Sequence, residues 1–304
     1  MDKTEIERIA AMLAPRLSEP VARAAAPCAD TVTELRFRAG RPVCIRCGAQ
    51  TRFVRDGRCV ESADDCLLAQ PQELQQTLAR LSEYSLYAKQ PQLGSGYLTI
   101  RGGHRVGIAA SETAGGVDFG SINALNIRIA RAVPGCADAV VRRTQAERRA
   151  SVLWVSLPGA GKTTLLRDAV RQLASPQYLQ RISLIDERRE LAGVSQGAPT
   201  LDVGLLTDVL DGYARKDGIP LAVRALAPDF IACDEIGGAA DMEALADAHR
   251  CGVLLLASIH APELHALRAC RYFDVLRGVF DYAVLVRSAP APGTIAAIER
   301  MESL

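Results

Sequence analysis

The second half of the chain alternates short, continuous apolar runs with helix-length stretches. The runs of strand length are residues 151–156, 182–185, 230–233 and 253–258. Strands that are apolar throughout are typical of a parallel sheet, because helices then cover both of its faces. The pattern therefore predicts an α/β domain built on a parallel sheet.

The first half of the chain shows shorter and more irregular periodicity. Helices are predicted over residues 6–17 and 72–84, the second of them opened by Pro71 at a favourable first-turn position. The predicted strands are 34–37, 43–47, 51–54, 97–100, 105–109 and 123–130, with a hairpin turn at 102–103. This half is therefore predicted to be an α+β domain.

The segment 139–150 is rich in arginine and glutamate and is predicted to be a solvated helix that bridges the two halves. We accordingly predict an α/β protein with a smaller N-terminal α+β domain, residues 1–140. The predicted C-terminal α/β domain covers residues 141–304.

The formal net charge of +1 hides an asymmetry between the halves. Residues 1–149 contain 21 Lys and Arg against 16 Asp and Glu, whereas residues 150–304 contain 15 against 19. The excess in the first half includes seven arginines between 36 and 58. A solvated face or an interface to an acidic subunit is favoured over nucleic acid or a membrane surface.

No apolar run approaches the ~18 residues that span a bilayer, and the N-terminus does not have the pattern of a signal peptide. We therefore expect a cytoplasmic protein whose nine cysteines are reduced thiols. Cys44 and Cys47 form a C-x-x-C pair, but a strand over 43–47 would point them to opposite faces. Metal binding by this pair is therefore not expected, and the sequence assigns it no other role.

The strongest chemical signal is S-L-P-G-A-G-K-T-T at 156–164, which follows an apolar strand and precedes a predicted helix, 162–173. Its glycines let backbone N–H groups turn towards phosphate oxygens, and the helix N-terminus adds positive charge. Lys162 is expected to reach the β- and γ-phosphates of ATP, and Thr163 to bind Mg²⁺. The residues predicted to bind the nucleotide are Ser156, Pro158, Gly159, Ala160, Gly161, Lys162, Thr163 and Thr164. The motif usually begins with glycine, and here that position is Ser156.

Acidic residues follow two of the other predicted strands. Asp234 and Glu235 end the run 230–233, and Asp186 and Glu187 end the run 182–185. Ligands of open α/β sheets bind at this carboxyl edge. One acid can hold the Mg²⁺ shell while the next orients or deprotonates the attacking water.

A third strand delivers a hydroxyl and an imidazole to the same edge, at Ser258 and His260. Such a histidine is interpreted either as a structural residue or as a sensor of the γ-phosphate. The sequence by itself leaves both roles open.

Several segments together resemble the stage III sporulation protein AA family. In the second half they are P-G-A-G-K-T-T-L-L-R-D, D-E-R-R-E-L-A-G, T-D-V-L-D-G and P-D-F-I-A-C-D-E-I-G. In the first half they are S-E-Y-S-L-Y-A, G-Y-L-T-I-R-G-G-H-R-V-G and N-I-R-I-A-R. The likeness covers roughly residues 30–290, and the family is similar to the ring ATPases of type II and type IV secretion and of pilus retraction.

The resemblance implies a RecA-like P-loop ATPase domain and a hexameric motor on the mother-cell side of the sporulation septum. Its partners would be further copies of itself and membrane-embedded sporulation channel proteins, with ATP and Mg²⁺ bound and no nucleic acid expected. By motif, Thr163, Asp234 and Asp186 would hold Mg²⁺, and Glu235, Glu187 and His260 would be catalytic.

The resemblance also points to arginines around the phosphates. Arg224 matches an arginine before the strand 230–233, and the secretion ATPases use arginines of the N-terminal domain at a subunit or domain junction. The candidates for that role are Arg101, Arg105, Arg128 and Arg131. This chain departs from the family pattern at Leu205, Leu206 and Gly238, so that the arginine that completes the site stays open.

Two other functions remain compatible with the sequence. In one, nucleotide only sets the state of an assembly and turnover is incidental. In the other, the basic first half binds nucleic acid as the track of a motor, although its arginine stretch contains only Phe37 and Phe53 for base stacking.

Overall fold

A computed structural model describes residues 3–85, 93–94, 96–113, 116–130, 132–147, 149–289 and 291–304. The chain divides into two compact units, Met1–Arg131 and Ala132–Leu304. The predicted boundary after residue 140 lies nine residues later and would cut a helix, Asp138–Glu147. Val140 and Val141 of this helix are buried in the core of the second unit. The helix therefore belongs to that unit and is not a solvated bridge.

The helices of the first unit are α1 (Lys3–Ala11), α2 (Pro15–Ala25) and α3 (Pro71–Leu81). The single helix predicted over 6–17 is thus two helices. The break follows from Pro15, because a proline disfavours helical geometry in the residue before it. Ala14 accordingly has an extended ψ of 144°, and Pro15 begins the new helix at a position where its missing N–H is not needed.

The first unit contains a seven-stranded antiparallel sheet in the order β5-β4-β3-β1-β9-β8-β7, and a small pair, β2-β6. The strands are β1 (Val32–Arg38), β2 (Arg41–Pro42), β3 (Cys44–Cys47), β4 (Gln50–Arg55), β5 (Arg58–Val60), β6 (Leu68–Ala69), β7 (Tyr97–Ile100), β8 (His104–Thr113) and β9 (Gly116–Arg128). The six predicted strands are confirmed, and β9 begins seven residues earlier than predicted. The α+β organisation of this unit is therefore confirmed.

The two faces of this sheet differ in polarity. Leu35, Phe37 and Ile127 lie on the face that packs against the helices, within one apolar core. The cross-strand register places Arg36, Arg46, Arg105 and Arg128 on the other face, because side chains alternate along each strand. Arg36 and Arg46 of the arginine-rich stretch thus follow from alternation, and Phe37 is fully buried.

The predicted orientation of Cys44 and Cys47 on β3 is confirmed. The Cys44 thiol lies 3.7 Å from Nη1 of Arg38, whereas the Cys47 thiol lies 3.0 Å from that of Cys28. Burial raises the pKa of Cys47 to about 11. At neutral pH this thiol is therefore protonated and weakly nucleophilic.

The second unit is a seven-stranded sheet in the order β12-β11-β13-β14-β10-β15-β16, parallel except for its last strand. The strands are β10 (Val152–Ser156), β11 (Ile182–Asp186), β12 (Thr207–Asp211), β13 (Phe230–Cys233), β14 (Leu254–His260), β15 (Tyr282–Arg287) and β16 (Thr294–Arg300). The helices are α4 (Asp138–Glu147), α5 (Lys162–Leu173), α6 (Arg215–Ala225), α7 (Ala239–Arg250) and α8 (Phe273–Val279). The four predicted strands are confirmed as the centre of a parallel sheet.

The core of the second unit lies on both faces of this sheet. Trp154 and Phe230 belong to one apolar cluster, and Leu153 and Ile231 belong to the other. Because the strands are parallel, the carboxyl ends of β10, β11, β13 and β14 share one edge. No helix in the described part of the chain is long and apolar enough to cross a membrane.

Candidate active site

The glycine-rich loop connects β10 to α5 at the carboxyl edge of the sheet. Gly159 and Gly161 have φ angles of +77° and +96°, a region that other residues rarely adopt. A Cβ at Gly161 would lie 2.8 Å from the backbone nitrogen of Gly293, which itself donates to the Ala160 carbonyl at 2.7 Å. The loop is therefore fixed against the turn before β16, and position 161 requires glycine.

Lys162 begins α5 and its ammonium group turns back into the loop. It donates to the backbone oxygens of Ser156 and Leu157, at 3.1 and 3.3 Å, and to Ser156 Oγ at 3.0 Å. Burial lowers the pKa of Lys162, although the nearby Asp234 and Glu235 oppose this shift. A desolvated cation held by neutral oxygens is well suited to receive an anionic group.

Ser156, which replaces the usual glycine of the motif, adds a hydroxyl ligand for this lysine. The hydroxyl also donates to the carbonyl of Leu157 at 2.8 Å. Among the other predicted loop residues, Pro158 and Gly159 are exposed, Thr164 is half-buried and Ala160 is buried. The serine is therefore accommodated by bonds inside the loop.

Thr163 and Asp234, both predicted to hold Mg²⁺, lie in contact. The Thr163 hydroxyl donates to Oδ2 of Asp234, and the Ser258 hydroxyl donates to Oδ1 of the same carboxylate. Hydroxyl and carboxylate oxygens are the ligands that Mg²⁺ prefers. The donor set present here fits that ion.

Glu235 has a backbone conformation that is uncommon for its residue type, with φ at +52°. Such conformations cost about 1–3 kcal/mol and cluster at functional sites. Its N–H donates to Ser258 Oγ at 3.0 Å, and its carboxylate contacts Arg188 and lies 3.4 Å from Nε2 of His260. The turn after β13 therefore directs this carboxylate into the site.

His260, at the end of β14, lies in contact with Lys162 on one side and with Glu235 on the other. Its Nδ1 lies 3.0 Å from the ammonium group of Lys162, which can only donate. Nδ1 therefore accepts, and in the neutral ring the proton is on Nε2, which faces Glu235. The ring therefore lies between Lys162 and Glu235, and its role as a sensor stays a prediction.

Asp186, which we predicted to hold Mg²⁺, binds the backbone of the loop after β11 with both oxygens of its carboxylate. Its side chain is buried, and its two oxygens accept N–H bonds from Glu190 at 2.9 Å, Leu191 at 3.1 Å and Ala192 at 2.8 Å. Burial raises the pKa of Asp186, and these N–H groups oppose the shift. The geometry supports a structural role, because the lone pairs that would bind an ion hold the loop after β11.

Glu187, the next residue, is bound by an arginine that the sequence did not single out. Arg215, the first residue of α6, donates to Glu187 Oε2 at 2.6 Å, Asp241 Oδ2 at 3.1 Å and the Asp234 carbonyl at 3.2 Å. Its side chain is only 16% exposed. Arg215 therefore ties together the ends of β11 and β13 and the start of α7.

Arg224, in contrast, is not brought to the site. It is exposed in the last turn of α6, nine residues and about 13 Å along the helix axis from Arg215. Since α6 places its first residue at the carboxyl edge of the sheet, Arg224 lies at the opposite end of the helix, and its role stays a prediction.

Among the candidate arginines of the first unit, Arg101 and Arg128 are exposed. The guanidinium of Arg105 lies 3.9 Å from the ring centroid of Tyr97, and Arg105 pairs with Arg128 across β8 and β9. Arg131 lies outside the described residues. A role for these arginines at a subunit junction stays a prediction.

We expect Arg215→Ala to lower the free energy of unfolding by about 3 kcal/mol, because it leaves the buried Asp241 and the partly exposed Glu187 without the cation that binds them both. Denaturant titration of the wild-type protein and of Arg215→Ala measures the difference in the free energy of unfolding. Arg250→Ala is the matched control: its pair with Asp247 is exposed within one helix, and we expect a loss below about 0.5 kcal/mol. Equal losses in the two variants would contradict the role given to Arg215.

The fold of this chain is found in solved ATPases of bacterial secretion and pilus machines. It matches the ATPase DotB of Legionella pneumophila with a TM-score of 0.59 and 13% identity, over 88% of this chain and 75% of that one. It matches the pilus retraction motor PilT, solved with bound ADP, with a TM-score of 0.59 and 16% identity, over 90% and 79%. The fold is therefore that of the RecA-like secretion ATPases, with an N-terminal domain followed by a RecA-like domain.

Within this class, the family model for sporulation stage III, protein AA, matches residues 2–303. Stage III sporulation protein AA of Bacillus subtilis (strain 168) is 34% identical over 283 residues, which are 88% of this chain and 86% of that protein. The chain therefore belongs to the sporulation stage III protein AA family.

Proposed function

We propose that the chain binds ATP at residues 156–164 and hydrolyses it to ADP and phosphate. The observation that carries this proposal is the convergence of three features at one edge of the sheet. A buried ammonium group, Lys162, lies beside a pair of oxygen ligands, Thr163 and Asp234, and beside a carboxylate, Glu235. Triphosphate binding and hydrolysis need these three functions together.

The Thr163 hydroxyl and the Asp234 carboxylate are oxygen groups of the kind that Mg²⁺ binds, and they support its binding here. When bound, Mg²⁺ neutralises negative charge on the phosphate oxygens. Ser258 orients the same carboxylate through its hydroxyl.

In the proposed reaction, a water oxygen forms a bond to the γ-phosphorus while the bond to the bridging β–γ oxygen breaks. The proton that the water loses passes to Glu235, the carboxylate that the turn after β13 directs into the site. Lys162 and the N–H groups of the loop stabilise the charge on the phosphate oxygens. His260 and Glu187 support this reaction, the first by holding Glu235 and the second as a further carboxylate beside the site.

We further propose that the chain works as a homo-hexameric motor in the cytoplasm, on the mother-cell side of the sporulation septum. Its partners there would be membrane-embedded channel proteins of sporulation. Membership of the sporulation family and the fold of the secretion and pilus-retraction ATPases support this proposal. In such a ring, Arg101, Arg105 and Arg128 of one copy would approach the nucleotide of the next.

Nucleic acid is not part of the proposal. Of the aromatic side chains in the arginine stretch, Phe37 is fully buried and Phe53 half-buried. Single-strand recognition depends largely on bases that stack on exposed aromatic rings. This stretch therefore offers few rings for such stacking.

The proposed ring predicts a change of mass when ATP and Mg²⁺ are added. Light scattering on the purified protein should move towards six chains of 32.6 kDa, about 196 kDa, because ATP binds at a subunit junction and bridges two copies. Lys162→Ala should stay at its starting mass under the same conditions. A monomer at every nucleotide concentration would contradict the ring.

A further inference from the structure

Arg188 lies in the turn that follows β11, and its guanidinium group contacts the carboxylate of Glu235. The arginine side chain is 49% exposed and that of the glutamate is 25% exposed. The carboxylate that we propose as the base is therefore paired with a cation of the same chain.

The backbone that carries Arg188 is braced from both sides. Asp186 accepts the N–H groups of Glu190, Leu191 and Ala192. The buried Arg167 donates to the carbonyl oxygens of Glu190 and Leu191, at 2.7 and 2.8 Å. Arg188 is therefore a long side chain that directly precedes a firmly held stretch of backbone.

Three other arginines around this edge have partners of their own. Arg215 binds two acids and a carbonyl and is largely buried. Arg189, the neighbour of Arg188, binds Asp211 at 2.9 Å, and Arg167 is buried under the loop. Arg188 combines exposure with contact to a residue of the proposed reaction.

We propose that Arg188 is the arginine, supplied by the same chain, that binds the γ-phosphate of ATP. This rests on the proposed hydrolysis at the loop 156–164. A terminal phosphate carries more negative charge than a carboxylate and offers a bidentate acceptor to a guanidinium group. When Arg188 binds the γ-phosphate in place of Glu235, it brings positive charge to the transferred phosphate. It also releases Glu235, which can then accept the proton of water.

The test compares Arg188→Ala with Arg189→Ala, which removes the same charge from the next position. We expect Arg188→Ala to weaken binding of a non-hydrolysable ATP analogue at least about tenfold and to lower kcat to a similar extent. Binding of ADP, which lacks the γ-phosphate, should change by less than about twofold. Arg188→Lys should recover part of the lost affinity, since it keeps the charge without the bidentate geometry.

Three outcomes would overturn this proposal while the wild-type protein still hydrolyses ATP. The first is a higher kcat in Arg188→Ala than in the wild type, which would make the pair with Glu235 only a restraint. The second is an equal loss of affinity and kcat in Arg188→Ala and Arg189→Ala. The third is an equal weakening, in Arg188→Ala, of the binding of the ATP analogue and of ADP. A wild-type protein that binds neither nucleotide would instead refute the proposed function on which the assignment rests.

Discussion

Replacing Lys162 with alanine is expected to lower ATP turnover about 10³-fold or more, because it removes the buried cation that faces the phosphates. The structure gives this lysine neutral oxygen partners and a contact with His260. The alanine variant loses the positive charge beside the phosphate and the connection through His260 to Glu235. Phosphate release at saturating ATP and Mg²⁺ measures the effect.

The matched control is Lys216→Ala, the other lysine of the second unit, which is exposed on α6. We expect wild-type turnover from it. Circular dichroism and the midpoint of thermal unfolding should show that both variants remain folded. Lys162→Ala that hydrolyses ATP as fast as Lys216→Ala would refute the assignment of the loop.

Glu235→Gln is expected to keep ATP binding and to lose turnover by about 10²- to 10⁴-fold. The amide has nearly the shape of the carboxylate but cannot take a proton from water. It also weakens the contact with Arg188, so ATP affinity should stay equal to that of the wild type or rise. The variant therefore separates nucleotide binding from hydrolysis.

This variant also distinguishes a motor from an assembly module that nucleotide only switches. If Glu235→Gln forms the nucleotide-bound assembly and still supports sporulation, the motor is refuted. Glu263→Gln is the control, because Glu263 is paired with Arg287 at 2.6 Å, apart from the residues of the site. It should behave as the wild type in both assays.

The parallel sheet, the glycine-rich loop and the acids at strand ends could be predicted because each has a local signature. An apolar run, a strand end and a helix start are adjacent in the sequence, and parallel strands then bring their ends together. Thr163 and Asp234 lie 71 positions apart and touch for this reason alone. The strands and the loop that form the site could thus be predicted from the sequence.

The roles of individual side chains at this edge were not accessible in the same way. Asp186 and Asp234 both follow apolar strands, but one binds backbone N–H groups and the other binds hydroxyls. Arg215 stands at a helix start with no motif around it, and its partners are 19 to 28 positions away. Which arginine reaches the site depends on tertiary packing that periodicity does not encode.

Similar limits applied to the strands at the edges of the sheet. β12 has an alternation of polar and apolar residues that is shared with many loops, and β15 and β16 follow the last segment that we read as a strand. In the first unit, the break before Pro15 was readable from the proline itself. Half-burial leaves a weak pattern in β12 and β16, whereas β15 is buried over most of its length and was missed although its residues form an apolar run.

The central claim is that this chain hydrolyses ATP at the loop that contains Lys162. The most direct test is steady-state phosphate release by the purified wild-type protein, with ATP titrated in the presence of Mg²⁺ and then of a chelator. We predict saturable release that the chelator abolishes and that Lys162→Ala does not show. Release no faster than in buffer alone, with the wild-type protein folded and assembled, would contradict the account.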